Sequence, residues 1–210
     1  MPKTGKEKLK AIAEKFRNEI NKTNSVIEEI FLEIKEKQAS ELIIKMGLVY
    51  LMTYLEGFNR EFFIEFLSII PHLMAKDLKN KKEQKKLTMN FKELIGELHG
   101  YDDDLSKNMA FKMYEEVFNY ERMKIDMFIS KFLDGFLELD FQNESKNRNI
   151  EINVLKEYRE IRNSIVHYKR IDYKEAISFE KLQKAILGYI FLVEELIYNH
   201  YYPKEQPLNI

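Results

Sequence analysis

Residues 162–167, with the sequence RNSIVH, place an arginine, an asparagine and a histidine close together along the chain. An imidazole with an ordinary pKa of about 6.5 can take up or release a proton near neutral pH. A guanidinium offers donors in a fixed fork that fits the negative oxygens of a phosphate group. Arg162 and His167 are therefore compatible with proton transfer beside a phosphate. An arginine followed five residues later by a histidine is also a common coincidence, so spacing alone leaves both interpretations open.

The segment that carries these residues is predicted to be a helix over residues 150–168. Its apolar positions recur at intervals of four, three, four and three, at Val154, Tyr158, Ile161, Ile165 and Tyr168. At about 100° per residue, Asn163 and His167 lie about 160° from Ile165 around the helix. Arg162 lies at the edge between the two faces. We therefore expect all three polar side chains to face away from the core, which disfavours a core histidine and leaves a plain surface histidine open.

A helix predicted over residues 41–70 carries the carboxylate of Glu56 within a largely apolar stretch. Apolar residues cover most of its circumference, which is typical of a helix at the centre of a bundle: Leu42, Ile43, Met46, Val49, Leu51, Met52, Leu55, Phe58, Phe62, Phe66 and Ile69. Pro71 is expected to end it. Since a buried carboxylate needs a partner, Glu56 is expected either to hold Arg162 in position or to lie at the rim in an ordinary ion pair. Gly57 has no Cβ, so another helix can approach closely there.

The rest of the chain is also predicted to be helical, because Gly and Pro are few and no useful strand alternation occurs. Further helices are expected at about 6–37 (or two helices broken near Asn21–Ser25), 87–99, 105–119, 121–139 and 178–201. The lysine-rich residues 76–86 are interpreted as a solvated link, with contacts to RNA phosphates as the alternative. The polar residues 140–149 are interpreted as a loop. Three aspartates at 102–104 are better explained by helix capping than by metal binding. The predicted fold class is all-α.

Composition limits the classes of function. The 34 Lys and Arg residues and 35 Asp and Glu residues give a net charge of −1, so a surface for nucleic acid must be a local patch. The absence of cysteine excludes disulfides, zinc–thiolate sites and thiol catalysis. The most apolar run, Met46 to Leu55, has ten residues, whereas a membrane span needs about 20. With no visible signal peptide, we expect a soluble cytoplasmic protein with no membrane association.

Two segments resemble the HEPN family of helical domains. The R-N-x-x-x-H pattern of residues 162–167 is similar to the family's Arg–His signature, and residues 48–63 (LVYLMTYLEGFNREFF) resemble the Glu-Gly-Phe helix of a subgroup found in prokaryotic defence and toxin proteins. The resemblance covers about residues 40–70 and 150–200 of a single domain, 1–210. It implies a HEPN-like helical bundle, in which residues 76–149 are interpreted as a helical insertion.

The resemblance implies a metal-independent endoribonuclease without a cofactor, a toxin or defence effector that cuts tRNA or mRNA. The ribose 2′-hydroxyl would attack the adjacent phosphate and leave 2′,3′-cyclic phosphate ends. Arg162 and His167 would be catalytic, Asn163 would orient the phosphate or the imidazole, and Lys169 and Arg170 would contact RNA. The family completes its site across a homodimer, and an antitoxin or defence-system protein is an expected partner. The alternatives are a non-catalytic module that binds RNA or a partner protein, and a helical adaptor in which the Arg–His pair is a coincidence.

Overall fold

The computed structural model describes residues 4–33, 37–70, 107–108, 110–111, 114, 125–166 and 178–202. All regular structure in these residues is helical, which confirms the predicted all-α class. In chain order the elements are α1 (Gly5–Glu33), α2 (Lys37–Ile69), α3 (an α-helical turn Ile125–Phe128 that continues as the π-helix Ile129–Phe136), α4 (Phe141–Asn147), α5 (Ile152–Val166) and α6 (Phe179–Tyr201). The predicted lysine-rich link 76–86, the helix 87–99 and the three aspartates at 102–104 lie outside the described residues.

Helices α1 and α2 form an antiparallel hairpin. A Cβ added to Gly47 would lie 2.6 Å from the side chain of Ile27, and one added to Gly57 would lie 3.0 Å from the ring of Phe16. The two helices therefore approach closely at both glycines, because neither carries a side chain. Near the other end of the hairpin, Lys15 Nζ lies 2.8 Å from a carboxylate oxygen of Glu61.

The alternative of a break in the first helix near Asn21–Ser25 is wrong, because α1 runs through these residues. Polar side chains in this region bond within the helix and do not displace its backbone hydrogen bonds. Asn24 is buried and its Nδ2 donates to Glu28 at 2.7 Å, while Ser25 Oγ donates to the carbonyl oxygen of Asn21 at 3.2 Å. The hairpin is therefore built from two uninterrupted helices.

The core lies between α1, the second half of α2, α3 and α6. From Leu48 to Leu67, α2 contributes its largest fully buried side chains, and the ring of Phe58 packs edge-on against that of Tyr189 in α6. The Tyr189 hydroxyl donates to Oδ1 of the buried Asn59 at 2.7 Å. The prediction that α2 lies at the centre of the bundle therefore holds for this half. It is wrong for the first half, where Leu42, Met46 and Tyr50 are exposed, because no described helix packs over that side.

The prediction of a loop over residues 140–149 is wrong, since Phe141–Asn147 forms helix α4. Two interactions explain the helix. Phe141 is fully buried and packs against the ring of Tyr189, with 5.4 Å between ring centroids. The carboxylate of Asp134 accepts hydrogen bonds from the backbone N–H groups of Phe141 and Gln142 at the start of α4, which satisfies donors that the helix itself leaves without partners.

The predicted helices over 121–139, 150–168 and 178–201 correspond to α3, α5 and α6, although the described part of each is shorter at its ends. The described residues between 107 and 114 are helical, in agreement with the helix predicted over 105–119. Within the described residues, no helix is both long enough and apolar enough to cross a bilayer.

We predict that Tyr189→Phe lowers the free energy of unfolding by about 1–3 kcal/mol, because Oδ1 of the buried Asn59 loses its hydrogen-bond donor. Urea denaturation followed by circular dichroism measures the change. Tyr50→Phe, which removes a hydroxyl from an exposed ring, is the matched control and should change the free energy by less than about 0.5 kcal/mol. Equal effects of the two substitutions would show that the buried hydrogen bond contributes nothing.

Candidate active site

The guanidinium of Arg162 is held between two acceptors. Its Nη2 forms an ion pair with Oε2 of Glu56 in α2, and its Nη1 donates to Oδ1 of Asn163 at 2.9 Å. The side chains of Arg162 and Glu56 are 20% and 21% exposed. A guanidinium has five N–H donors, and these two contacts use two of them. The group is therefore fixed in orientation and keeps donors for an anion.

The local structure of α2 directs Glu56 towards α5. The next residue, Gly57, faces the ring of Phe16 in α1. Successive helical residues are about 100° apart around the axis, so Glu56 lies to one side of the tight α1 contact. The sequence leaves two possibilities for Glu56: it holds Arg162 in position, or it forms an ordinary ion pair at the rim. The observed Arg162–Glu56 pair is compatible with both.

Helix α5 buries a wider face than the apolar pattern predicts. Val154 and Tyr158 are buried as expected, but Leu155 and Arg159 are buried as well, with exposures of 0% and 6%. Leu155, Arg159 and Arg162 recur at intervals of four and three and so form a row on one side of the helix. Arg162 therefore lies on the side of α5 that faces α2.

The expectation that the polar residues face away from the core needs a correction for two of them. Arg162 is directed at Glu56, and Asn163 is half-buried. The cause is the row that begins at Leu155, in which the buried Arg159 extends the buried face of α5 towards Arg162. The spacing of Leu155, Arg159 and Arg162 was the signal that could have identified it.

The position of α5 is fixed from a second side by Tyr158. Its hydroxyl accepts from the backbone N–H of Ser178 at 2.9 Å and lies 3.3 Å from the carbonyl oxygen of the same residue, to which it donates. Burial raises the pKa of Tyr158, so the hydroxyl stays protonated and keeps its donor. Ser178 also accepts a hydrogen bond from the backbone N–H of Lys181 at the start of α6. Helix α5 is thus joined to α6 one turn before Arg162.

The structure brings three of the predicted site residues together, namely Arg162, Asn163 and Glu56. Asn163 contacts the guanidinium through its only acceptor atom, a contact that the sequence did not suggest. His167, Lys169 and Arg170 lie outside the described residues, and their predicted roles remain predictions. Within the described ranges, no group of three or more His, Asp or Glu side chains is placed to hold a metal ion.

Comparisons with known proteins give no family assignment. No protein-family model, no curated protein and no solved structure matches the chain. The resemblance to HEPN domains therefore depends on the residues of the Glu-Gly-Phe helix and of the Arg–His segment alone. An Arg–Glu ion pair also occurs where it only joins two helices. The coupling energy between Arg162 and Glu56 therefore tests whether Glu56 holds Arg162 in place.

We predict that a double-mutant cycle with Glu56→Ala and Arg162→Ala gives a coupling of about 1–2 kcal/mol in the free energy of unfolding. The pair is largely buried and charge-assisted, so each partner left alone is poorly solvated. The solvent-exposed pair of Lys184 and Glu180, with 2.7 Å between Nζ and Oε1, is the matched control and should couple more weakly. A coupling no larger than that of the control would mean that Glu56 does not hold Arg162 in place.

Proposed function

We propose that this protein is a metal-independent, HEPN-type endoribonuclease in which Arg162 and His167 act on a phosphodiester of RNA. The observation that carries the proposal is the guanidinium of Arg162, which is fixed between Glu56 and Asn163. Donors held in place before the reaction stabilise developing charge without the cost of reorganising solvent. A loosely held surface arginine would not offer this advantage.

In the proposed reaction, the ribose 2′-oxygen attacks the adjacent phosphorus and the bond from phosphorus to the 5′-oxygen breaks. One proton leaves the 2′-hydroxyl and one proton is given to the departing 5′-oxygen, which yields a 2′,3′-cyclic phosphate and a 5′-hydroxyl. The remaining donors of Arg162 would stabilise the extra negative charge of the phosphorane. His167 would exchange the proton, since an imidazole titrates near neutral pH.

A single Arg–His pair provides one proton-transfer group, whereas the reaction needs both a base and an acid. We therefore propose that a second copy of the chain supplies the second pair and that the active form is a homodimer. A two-fold axis brings identical residues of two copies together, which suits a site with two histidines. We expect the C-terminal part of α5, which ends at Val166 in the described residues, to lie near that axis.

Binding of RNA would depend on local charge. The chain as a whole carries a net charge of −1, and Glu56 offsets the charge of Arg162 within the site. Lys169 and Arg170 follow the proposed His167 by two and three residues and are the proposed phosphate contacts. Glu56 would act as a positioning residue through Arg162, and Asn163 as a second holder of the same guanidinium.

The biological role follows from the family resemblance. We propose a cytoplasmic toxin or defence effector that cuts tRNA or mRNA, with an antitoxin or another defence-system protein as its partner. The HEPN-like bundle would consist of about residues 40–70 and 150–200, with residues 76–149 as a helical insertion. These statements rest on the two quoted sequence segments.

A second candidate function is a non-catalytic HEPN-like module that binds RNA or a partner protein. The observation that favours it is the Arg162–Glu56 ion pair itself, because a paired guanidinium is less available to a phosphate. The two functions differ in whether a phosphodiester is broken.

We predict that the purified protein cleaves RNA in the presence of EDTA and leaves 2′,3′-cyclic phosphate ends, detectable by mass spectrometry of the products. His167→Ala should abolish cleavage because the proton-transfer group is lost. The helical content and melting temperature should stay close to those of the wild type, because the apolar periodicity predicts a surface position for His167. His200→Ala, at the last turn of α6, is the matched histidine control and should leave cleavage unchanged.

If His167→Ala cleaves RNA at the rate of the wild-type protein, the proposed catalytic role of His167 is wrong. RNA binding without cleavage by the wild-type protein would favour the non-catalytic module. Loss of folding in His167→Ala would indicate a core histidine, contrary to its position off the apolar row.

A further inference from the structure

Phe111 presents an aromatic ring at the surface of the protein. Its neighbours Ala110 and Tyr114 are buried in the core, whereas Phe111 is 40% exposed. Because successive helical residues are turned by about 100°, Phe111 lies on the outer side of a segment that Ala110 and Tyr114 hold against the core. The ring is therefore held in place and is partly open to another molecule.

The ring of Phe111 is connected to the candidate active site through Arg60 of α2. The guanidinium of Arg60 lies over the ring, with 5.2 Å between Cζ and the ring centroid. Arg60 follows Glu56 by four residues, so the two side chains are neighbours on one row of α2, with about 5–6 Å between their Cβ atoms. Glu56 in turn pairs with Arg162. The ring therefore lies on the order of 10 Å from the Arg162–Glu56 pair.

Residues 56–65 of α2, which lie beside Phe111, carry an excess of positive charge once their ion-pair partners are counted. Three carboxylates in this stretch are paired with four cations: Glu56 with Arg162, Glu61 with Lys15, and Glu65 with both Lys8 and Lys107. Arg60 is a fifth cation, so positive charges exceed negative charges by two. Since the whole chain has a net charge of −1, this is the kind of local excess that a surface for nucleic acid requires.

We propose that Phe111, held by Arg60, is a platform on which a base of the RNA substrate stacks while Arg162 binds a phosphate of the same strand. This inference rests on the proposed function and adds to it a residue that binds a base. Proteins that bind unpaired RNA stack its bases on aromatic rings and on arginine planes. Phe111 and Arg60 provide both groups together, and a separation on the order of 10 Å from Arg162 suits nearby nucleotides of one strand.

The surroundings of Phe111 distinguish it from an ordinary exposed apolar residue. Single apolar side chains are common on protein surfaces, and Phe191 of α6, 55% exposed, is an example. Within the part of the chain that the structure describes, no cation lies over the ring of Phe191. A partner protein that covered Phe111 through apolar contacts would gain nothing from the surrounding cations, whereas the phosphates of RNA would.

The test measures affinity for a single-stranded 2′-fluoro RNA oligonucleotide, which lacks the attacking 2′-hydroxyl and therefore reports binding apart from cleavage. Phe111→Leu keeps an apolar side chain but removes the ring, and it should weaken binding by about 5-fold to 100-fold, as expected for the loss of one stacked base. Phe111→Tyr keeps the ring and should bind as the wild type does. Phe191→Leu is the matched control and should leave affinity unchanged.

A second measurement detects the stacking itself. The chain contains no tryptophan, so Phe111→Trp produces a protein with a single indole at the proposed platform. A base that stacks on this indole should quench its fluorescence when the oligonucleotide is added. Phe191→Trp places the indole on α6 instead and should show no quenching. Circular dichroism should show that all variants are folded.

The platform is overturned if the wild type does not bind the oligonucleotide, if Phe111→Leu binds as tightly as the wild type, or if bound Phe111→Trp shows no quenching. Cleavage of ordinary RNA by the wild type, assayed in parallel, separates this proposal from the proposed function. Quenching of Phe111→Trp without any cleavage by the wild type would support the platform and contradict the ribonuclease. Cleavage by the wild type together with unchanged binding by Phe111→Leu would contradict the platform alone.

Discussion

Glu56 places a carboxylate in the middle of α2, the described helix with the largest share of buried core residues, and that carboxylate must be paired. A largely buried charge without a partner costs several kcal/mol, so the fold has to bring a cation to it. Arg162 provides this cation from α5. The requirement fixes the crossing of α5 over α2 at one point, and the Tyr158–Ser178 hydrogen bonds connect α5 to α6 one turn earlier. Stability and the geometry of the proposed site therefore depend on the same contact.

This dependence explains how a site can be presented by a helix that is also part of the packed structure. The guanidinium is fixed by the packing of α2 and α5, without a dedicated loop. The same arrangement has a cost for binding, because the carboxylate that orients Arg162 also offsets its charge. In the proposed mechanism this matters little for the transition state, where the phosphorane carries more negative charge than the bound substrate. The offset charge matters more for the attraction of RNA, which the proposed mechanism assigns to Lys169 and Arg170.

The sequence predicted the parts of the structure that depend on long apolar periodicity. Periodicity predicts helices α1, α2, α5 and α6 to within a few residues, and it marks Glu56 as a charge in need of a partner. Helix α4 was missed because its stability comes from Asp134, seven residues before Phe141, and from the packing of Phe141 on Tyr189. The polar composition of residues 140–149 alone does not reveal these two contacts. Arg159 shares the row of Leu155 and Arg162, but a charged residue at such a position is usually exposed, so its burial depends on packing between helices that the sequence does not specify. The exposed half of α2 was also unforeseen, because an apolar stripe looks the same in a sequence whether or not a neighbouring helix covers it.

The central claim is that Arg162 stabilises the transition state and does not merely attract RNA. Its most direct test is the single-turnover rate of RNA cleavage by Arg162→Lys, measured together with RNA affinity. Lysine keeps the positive charge but loses the planar fork of donors. If the fork is needed for the phosphorane, the rate should fall by about 100-fold or more while affinity changes little, as for a lost oxyanion donor. A near-normal rate for Arg162→Lys would contradict the account and leave Arg162 as a positioning charge.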